Sequence, residues 1–202
     1  MKSVAVYLGS APGCKDIYKG LAYELGHRIA LASVTLVYGG AAVGTMGALA
    51  EGAASAGGRV IGVFPRGFLG TKEVRESGLE VVQRGLSEFI TTADFAERKQ
   101  VMEDLSDGCI VMPGSFGTLD EFFEALTLRQ LGLHAKPIVL LNTLGFYDAL
   151  DRLLRSLARD GFMSAEVLDA YALCGTPAEA LRRAAAPAAQ NGATRTLSDY
   201  HA

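Results

Sequence analysis

Short apolar runs alternate along this chain with longer stretches in which apolar residues recur at every third or fourth position. The runs at 4–8, 35–38, 60–64, 109–112 and 137–141 show little polar alternation, which predicts strands buried on both faces. Between them, residues 18–31, 45–56, 93–105 and 118–131 carry helical spacing. Such alternation predicts a parallel sheet with right-handed crossovers and helices on both faces, an α/β, Rossmann-like doubly wound fold. Further on, 147–158 predicts another amphipathic helix and 171–174 a last edge strand. Thr176-Pro177 then supplies the cap and first position of a final helix.

Two stretches break the pattern. Residues 65–85 carry mixed charge and four glycines, which predicts a long loop with a short strand, the kind of insertion that covers a site. Residues 187–202 have little to bury and read as a disordered tail, leaving 1–186 as a single domain.

Composition narrows the function. A net charge of −3 argues against a non-specific nucleic-acid partner, which needs a basic surface. Cys14, Cys109 and Cys174 lie far apart without metal-ligand spacing, so reduced thiols are expected and no metal site. No stretch approaches the length of a membrane span, and the N-terminal apolar run is too short for a secretion signal. The expected setting is cytoplasmic, with no membrane partner.

The 24 glycines are clustered, and the clusters fall where predicted strands hand over to helices. The first is Gly9-Ser10-Ala11-Pro12-Gly13. The second runs from Gly39-Gly40 through Gly44-Thr45-Met46-Gly47, and the third from Met112-Pro113-Gly114-Ser115 to Gly117-Thr118. In open parallel sheets ligands bind at the carboxyl ends of the strands. Glycine bares backbone N–H groups there, and the following helix adds its positive end, so these turns suit a phosphate. The second turn lacks the GxGxxG spacing, and no Gly-Lys-Ser/Thr occurs, so neither a dinucleotide nor a Walker A site is indicated.

The third turn leads into Thr118-Leu119-Asp120-Glu121. Thr-x-x-Glu is the pattern of a capping box, with Thr118 as N-cap, and it also sets a carboxylate beside the phosphate turn. Asp120 favours the helix dipole. Upstream, the run from Asp94 to Lys99 reads either as a solvated charged turn or as a helix start that sends Arg98 into the cleft.

Together, Glu97-Arg98-Lys99, the pattern Pro-Gly-x-x-Gly-Thr-x-x-Glu at 113–121 and the Tyr-Gly-Gly turn at 38–47 resemble the Lonely Guy (LOG) family. Its members are cytokinin riboside 5′-monophosphate phosphoribohydrolases, often mislabelled as lysine decarboxylases. The resemblance covers about residues 4–162 and implies a Rossmann-like homodimer with no cofactor. It implies hydrolysis of the N-glycosidic bond of an adenosine monophosphate, giving a free adenine-type base and ribose 5-phosphate. Carried onto this chain, Arg98 and Glu121 are the catalytic pair. Gly39, Gly40, Gly44, Thr45, Met46, Gly47, Lys99, Met112, Pro113, Gly114, Ser115, Gly117 and Thr118 hold phosphate and ribose, above a floor of Gly9 and Ser10.

The chain departs from the pattern at Ser115, where the family has glycine, at Ala41, and at Phe95-Ala96, where Met-His is usual. Glu121 would act as base toward water, as stabiliser of an oxocarbenium-like sugar, or both. A second reading is a nucleotide- or cofactor-binding carrier of the same fold, without turnover. A pyridoxal-phosphate lysine decarboxylase is not supported, since none of six lysines sits in a pattern that suggests a Schiff base. The apolar helix from Glu121 onward predicts a homodimer face.

Overall fold

The computed structural model describes residues 1–68 and 85–186. The expected tail at 187–202 and most of the expected covering loop lie outside these residues. The elements in order are β1 (Ser3–Tyr7), α1 (Ile17–Leu31), β2 (Thr35–Tyr38), α2 (Gly44–Ser55), β3 (Val60–Pro65), β4 (Glu88–Thr92) and α3 (Phe95–Asp104). They continue with β5 (Cys109–Val111), α4 (Phe116–Gln130), β6 (Ile138–Leu141), α5 (Asp148–Arg159), β7 (Tyr171–Cys174) and α6 (Pro177–Ala184).

The strands form one parallel sheet in the order β4-β3-β2-β1-β5-β6-β7, as the alternation of runs and helices predicts. Chain direction across the sheet reverses between β1 and β5, which opens a crevice at their carboxyl ends. Two apolar layers enclose the sheet. Leu25, Ile29 and Leu49 pack from α1 and α2 on one face. Met102, Phe122 and Leu154 pack from α3, α4 and α5 on the other. The strands have to be apolar throughout because both faces are covered: Val4, Ala5 and Val6 of β1 are all fully buried. No helix among the described residues is long and apolar enough to cross a membrane.

Most predicted elements fall within two residues of their observed bounds, and one expectation is corrected. The short strand expected within 65–85 falls on residues that, apart from the ends of that segment, lie outside the described ones. Strand β4 at Glu88–Thr92 was not expected: it is an edge strand with only Thr92 buried, so it needs no apolar run and left a weak pattern. The capping box expected at Thr118–Glu121 is absent. Helix α4 starts one turn earlier, with Ser115 as its N-cap and Thr118 already inside. The reciprocal cap sits at α3 instead. There Asp94 accepts from the Glu97 amide at 2.9 Å, and the Glu97 carboxylate accepts from the Ala93 amide at 2.5 Å.

Candidate active site

The three glycine-rich turns follow β1, β2 and β5, and they knit together across the crevice. The Met112 amide donates to the Tyr7 carbonyl at 2.9 Å, and the Gly9 amide approaches the Pro113 carbonyl at 3.5 Å. The Thr45 hydroxyl donates to the Gly9 carbonyl at 2.5 Å. Gly44 takes φ +58°, and a Cβ there would fall on the Ser10 carbonyl, so this turn position excludes every side chain. Beside the turns lies a cleft of about 400 Å³, lined by Ser10, Gly114 and Ser115 together with Tyr18 and Phe146. Two further depressions among the described residues, around Arg129 and Asp169 and around Met1 and Ala186, lie at the amino ends of the strands.

Helices α1, α2 and α4, which follow these turns, have neither a capping side chain nor an acidic residue in the first turn. Helices α3 and α6 have both, and α5 begins with Asp148 and Asp151. Helix α1 has the acidic Asp16 at its N-cap position, but at α2 and α4 uncapped amides and a dipole without a nearby acidic cap face the crevice, which is the electrostatics that suits an anion.

Over the ends of β2 and β3 sits a buried ion pair. Arg98 Nη2 lies 3.5 Å from Glu121 Oε1, with side chains 11% and 7% exposed. Arg98 is fixed from several sides. Its Nε donates to the Val63 carbonyl at 3.1 Å, its Cζ lies 5.7 Å from the Phe95 ring centroid, and its Nη2 rests where Gly39 has no side chain. The Met46 terminal methyl meets the same point of Gly39, so the second turn and the ion pair share one surface. At 3.5 Å the pair is too long for a tight charge-assisted hydrogen bond. Burial accordingly pushes the Glu121 carboxyl up to about 7, against the pull of Arg98. Such a carboxyl exchanges its proton near neutrality, as a general base does.

A family described as possible lysine decarboxylase matches residues 46–184. A cytokinin riboside 5′-monophosphate phosphoribohydrolase of Rhodococcoides fascians is 40% identical over 173 residues, covering 86% of this chain and 84% of its own. The enzyme of the same name from Mycobacterium tuberculosis is 39% identical over 183 residues, covering 91% and 93%. This chain belongs to the LOG family. In fold alone it also resembles the molybdenum cofactor binding protein of Rippkaea orientalis. That likeness has a TM-score of 0.63 at 23% identity, over 90% of this chain and 94% of that one.

The residues that the LOG resemblance singles out do not all stand in the same relation to the crevice. Gly9, Ser10, Thr45, Pro113, Gly114 and Ser115 line the cleft. A Cβ on Gly117 would meet nothing within 4 Å, so the first turn of α4 is open. Gly40 takes φ +78° and gives β2 its exit. A Cβ on Gly47 would meet the Ala42 carbonyl, so its smallness lets α2 start close against its own turn. Three side chains are turned elsewhere. Met112 is buried in the apolar layer, and its carbonyl accepts from the Tyr147 hydroxyl at 2.6 Å. Thr118 is 3% exposed beneath Gly114. Lys99 Nζ is held by Asp120 and Glu124.

Two of the LOG departures, at Ser115 and Ala41, are accommodated by the backbone. Ser115 has φ −103° and Ala41 is absent from the left-handed positions, so neither needs glycine. Sequence reasoning missed Tyr7, buried beneath Glu121, because a strand tyrosine reads as core. It also missed Tyr18 and Phe146, whose rings meet edge-on at 6.2 Å from elements far apart in the chain.

Proposed function

We propose that this LOG-family protein hydrolyses the N-glycosidic bond of adenosine 5′-monophosphates, including N6-modified ones, releasing an adenine-type base and ribose 5-phosphate. The observation that carries this reading is the buried Arg98–Glu121 pair beside uncapped helix ends. The helix ends of α2 and α4 would hold the 5′-phosphate, with Ser10 and Ser115 adding hydroxyl donors. Departure of the base leaves positive charge on the sugar, which an ionised Glu121 stabilises, and Glu121 can accept a proton from the attacking water. A guanidinium is a poor proton donor, so the role left to Arg98 is to orient Glu121 and the nucleotide.

Release of free base from AMP and from N6-isopentenyl-AMP, followed by chromatography, tests the reaction. Binding without base release would instead favour the carrier reading, for which fold likeness alone speaks. Decarboxylase chemistry fits poorly, because a Schiff base needs a neutral lysine. Burial opposes the charge on Lys99, yet the Glu124 and Asp120 carboxylates that its ammonium contacts hold it above the usual value.

Replacing Ser115 with Gly is expected to raise KM for AMP roughly threefold with kcat unchanged, since its hydroxyl would bind phosphate equally in ground and transition states. An unchanged KM would remove Ser115 from the phosphate site. A homodimer is part of the same proposal: Phe116 is 88% exposed, and Phe123 and Leu131 continue that face of α4. Sedimentation equilibrium should give the mass of two 21.3 kDa chains, and the mass of one would refute it. The free thiols of Cys14, Cys109 and Cys174 are consistent with a reducing, cytoplasmic setting.

A further inference from the structure

Lys99 follows Arg98 on α3, and Asp120 and Glu124 flank Glu121 on α4. Lys99 Nζ lies 2.9 Å from Asp120 Oδ2 and 2.6 Å from Glu124 Oε2, and the lysine side chain is only 19% exposed. Two parallel links thus join the helices, Arg98 to Glu121 on the inside and Lys99 to Asp120 and Glu124 on the outside. Three carboxylates within one and a half turns of α4 repel one another, and positions 120 and 124 share a face. Both short contacts of Lys99 fall on the outer two, leaving Arg98 to Glu121 alone.

We propose that Lys99 is a positioning residue for Glu121 rather than a substrate ligand: it clamps α3 to α4 and neutralises the two carboxylates beside the catalytic one. The proposal rests on the reading of Glu121 as the ionising group of the reaction. The charges around Glu121 are Arg98 and Lys99 from α3, and Asp120 and Glu124 from α4. Tyr7 of β1 and Cys109 of β5 face it from the sheet below. Arg98 and Lys99 favour its charged form, while Asp120 and Glu124 oppose it.

The test is a ¹³C-carboxyl NMR titration of Glu121 in the unliganded protein, assigned by loss of the signal in Glu121→Gln. Lys99→Met should raise the Glu121 midpoint by about half a pH unit or more, since two carboxylates lose their counter-ion. Lys99→Arg should restore it, and Asp120→Asn with Glu124→Gln, keeping Lys99, should lower it. In base-release kinetics on AMP, the acid limb of kcat/KM should move with the midpoint while KM on the pH plateau stays within about twofold.

An unmoved midpoint in Lys99→Met overturns the proposal. So does a roughly tenfold rise in KM with the acid limb in place, which would make Lys99 a phosphate ligand. Should Lys99→Met fail to fold, the Asp120→Asn/Glu124→Gln protein decides by whether its midpoint falls. Absence of base release by the wild-type protein would sink the hydrolase reading separately, because the titration needs no turnover.

Discussion

Replacing Glu121 with Gln is expected to stop base release from AMP, by about a thousandfold or more, while making the protein more stable at pH 8. The two effects share one cause. Glu121 is 7% exposed, and its partner Arg98 is 3.5 Å away, so its charge is only partly compensated. Its carboxyl is raised from 4.5 to about 7 in the fold. The folded state therefore binds more protons than the unfolded chain between those values. Stability falls as pH rises through that window, and the full cost is present above pH 7. That cost is on the order of 1–3 kcal/mol, and Gln removes it.

Calorimetry should show Glu121→Gln melting several degrees above wild type at pH 8, with the gap closing toward pH 4.5. A gap of the opposite sign, or one independent of pH, would mean that Glu121 is a well-compensated structural ion. On the activity side, wild-type kcat/KM should decline below about pH 7 as Glu121 of the free protein protonates. Full turnover in Glu121→Gln would end the proposed mechanism.

The second expected result is a pair of glycine substitutions on α1 with opposite signs. Gly26→Ala should destabilise the fold by about 2–4 kcal/mol, and Gly20→Ala should stabilise it by up to about 1 kcal/mol. A Cβ on Gly26 would fall on the Leu49 carbonyl and lie 2.9 Å from the Ala53 amide nitrogen. Both are backbone atoms of α2, which no rotamer change can move aside. Gly52 repeats the arrangement in reverse, its missing side chain making room for the Tyr23 carbonyl. At Gly20 an added methyl meets nothing within 4 Å, so only the gain in helix propensity remains. Urea unfolding of both variants checks this. Equal effects at the two positions would show that α1 and α2 can separate without loss. Because α2 begins at Gly44 in the second turn, Gly26→Ala should also raise KM for AMP as α2 is displaced.

How far the sequence revealed this depended on the size and locality of each signal. The strands at Val4, Val60 and Ile138 were legible because burial on both faces demands unbroken apolar runs. Edge strand β4 was not, because solvent on one side relaxes that demand. The pattern at 113–121 singled out Glu121, which the fold buries beside Arg98, while misjudging its cap. Thr118 had the right chemistry for an N-cap, but the close approach of Gly114 pulls the helix start back to Ser115 and buries Thr118 under the turn.

The sequence by itself determined the kind of protein this is. It set the parallel sheet through its periodicity, the glycine-rich turns at the strand ends through clustered glycine, and the candidate pair through the spacing of its LOG motifs. Tertiary structure alone decided where each of those residues sits and what it touches. Arg98 and Lys99 are neighbours in sequence with similar charge, yet one is sunk against Glu121 and the other is held outside by Asp120 and Glu124. Proton affinity and accessibility depend on through-space distance and burial, and these arise only when α3 and α4 are laid side by side on the sheet.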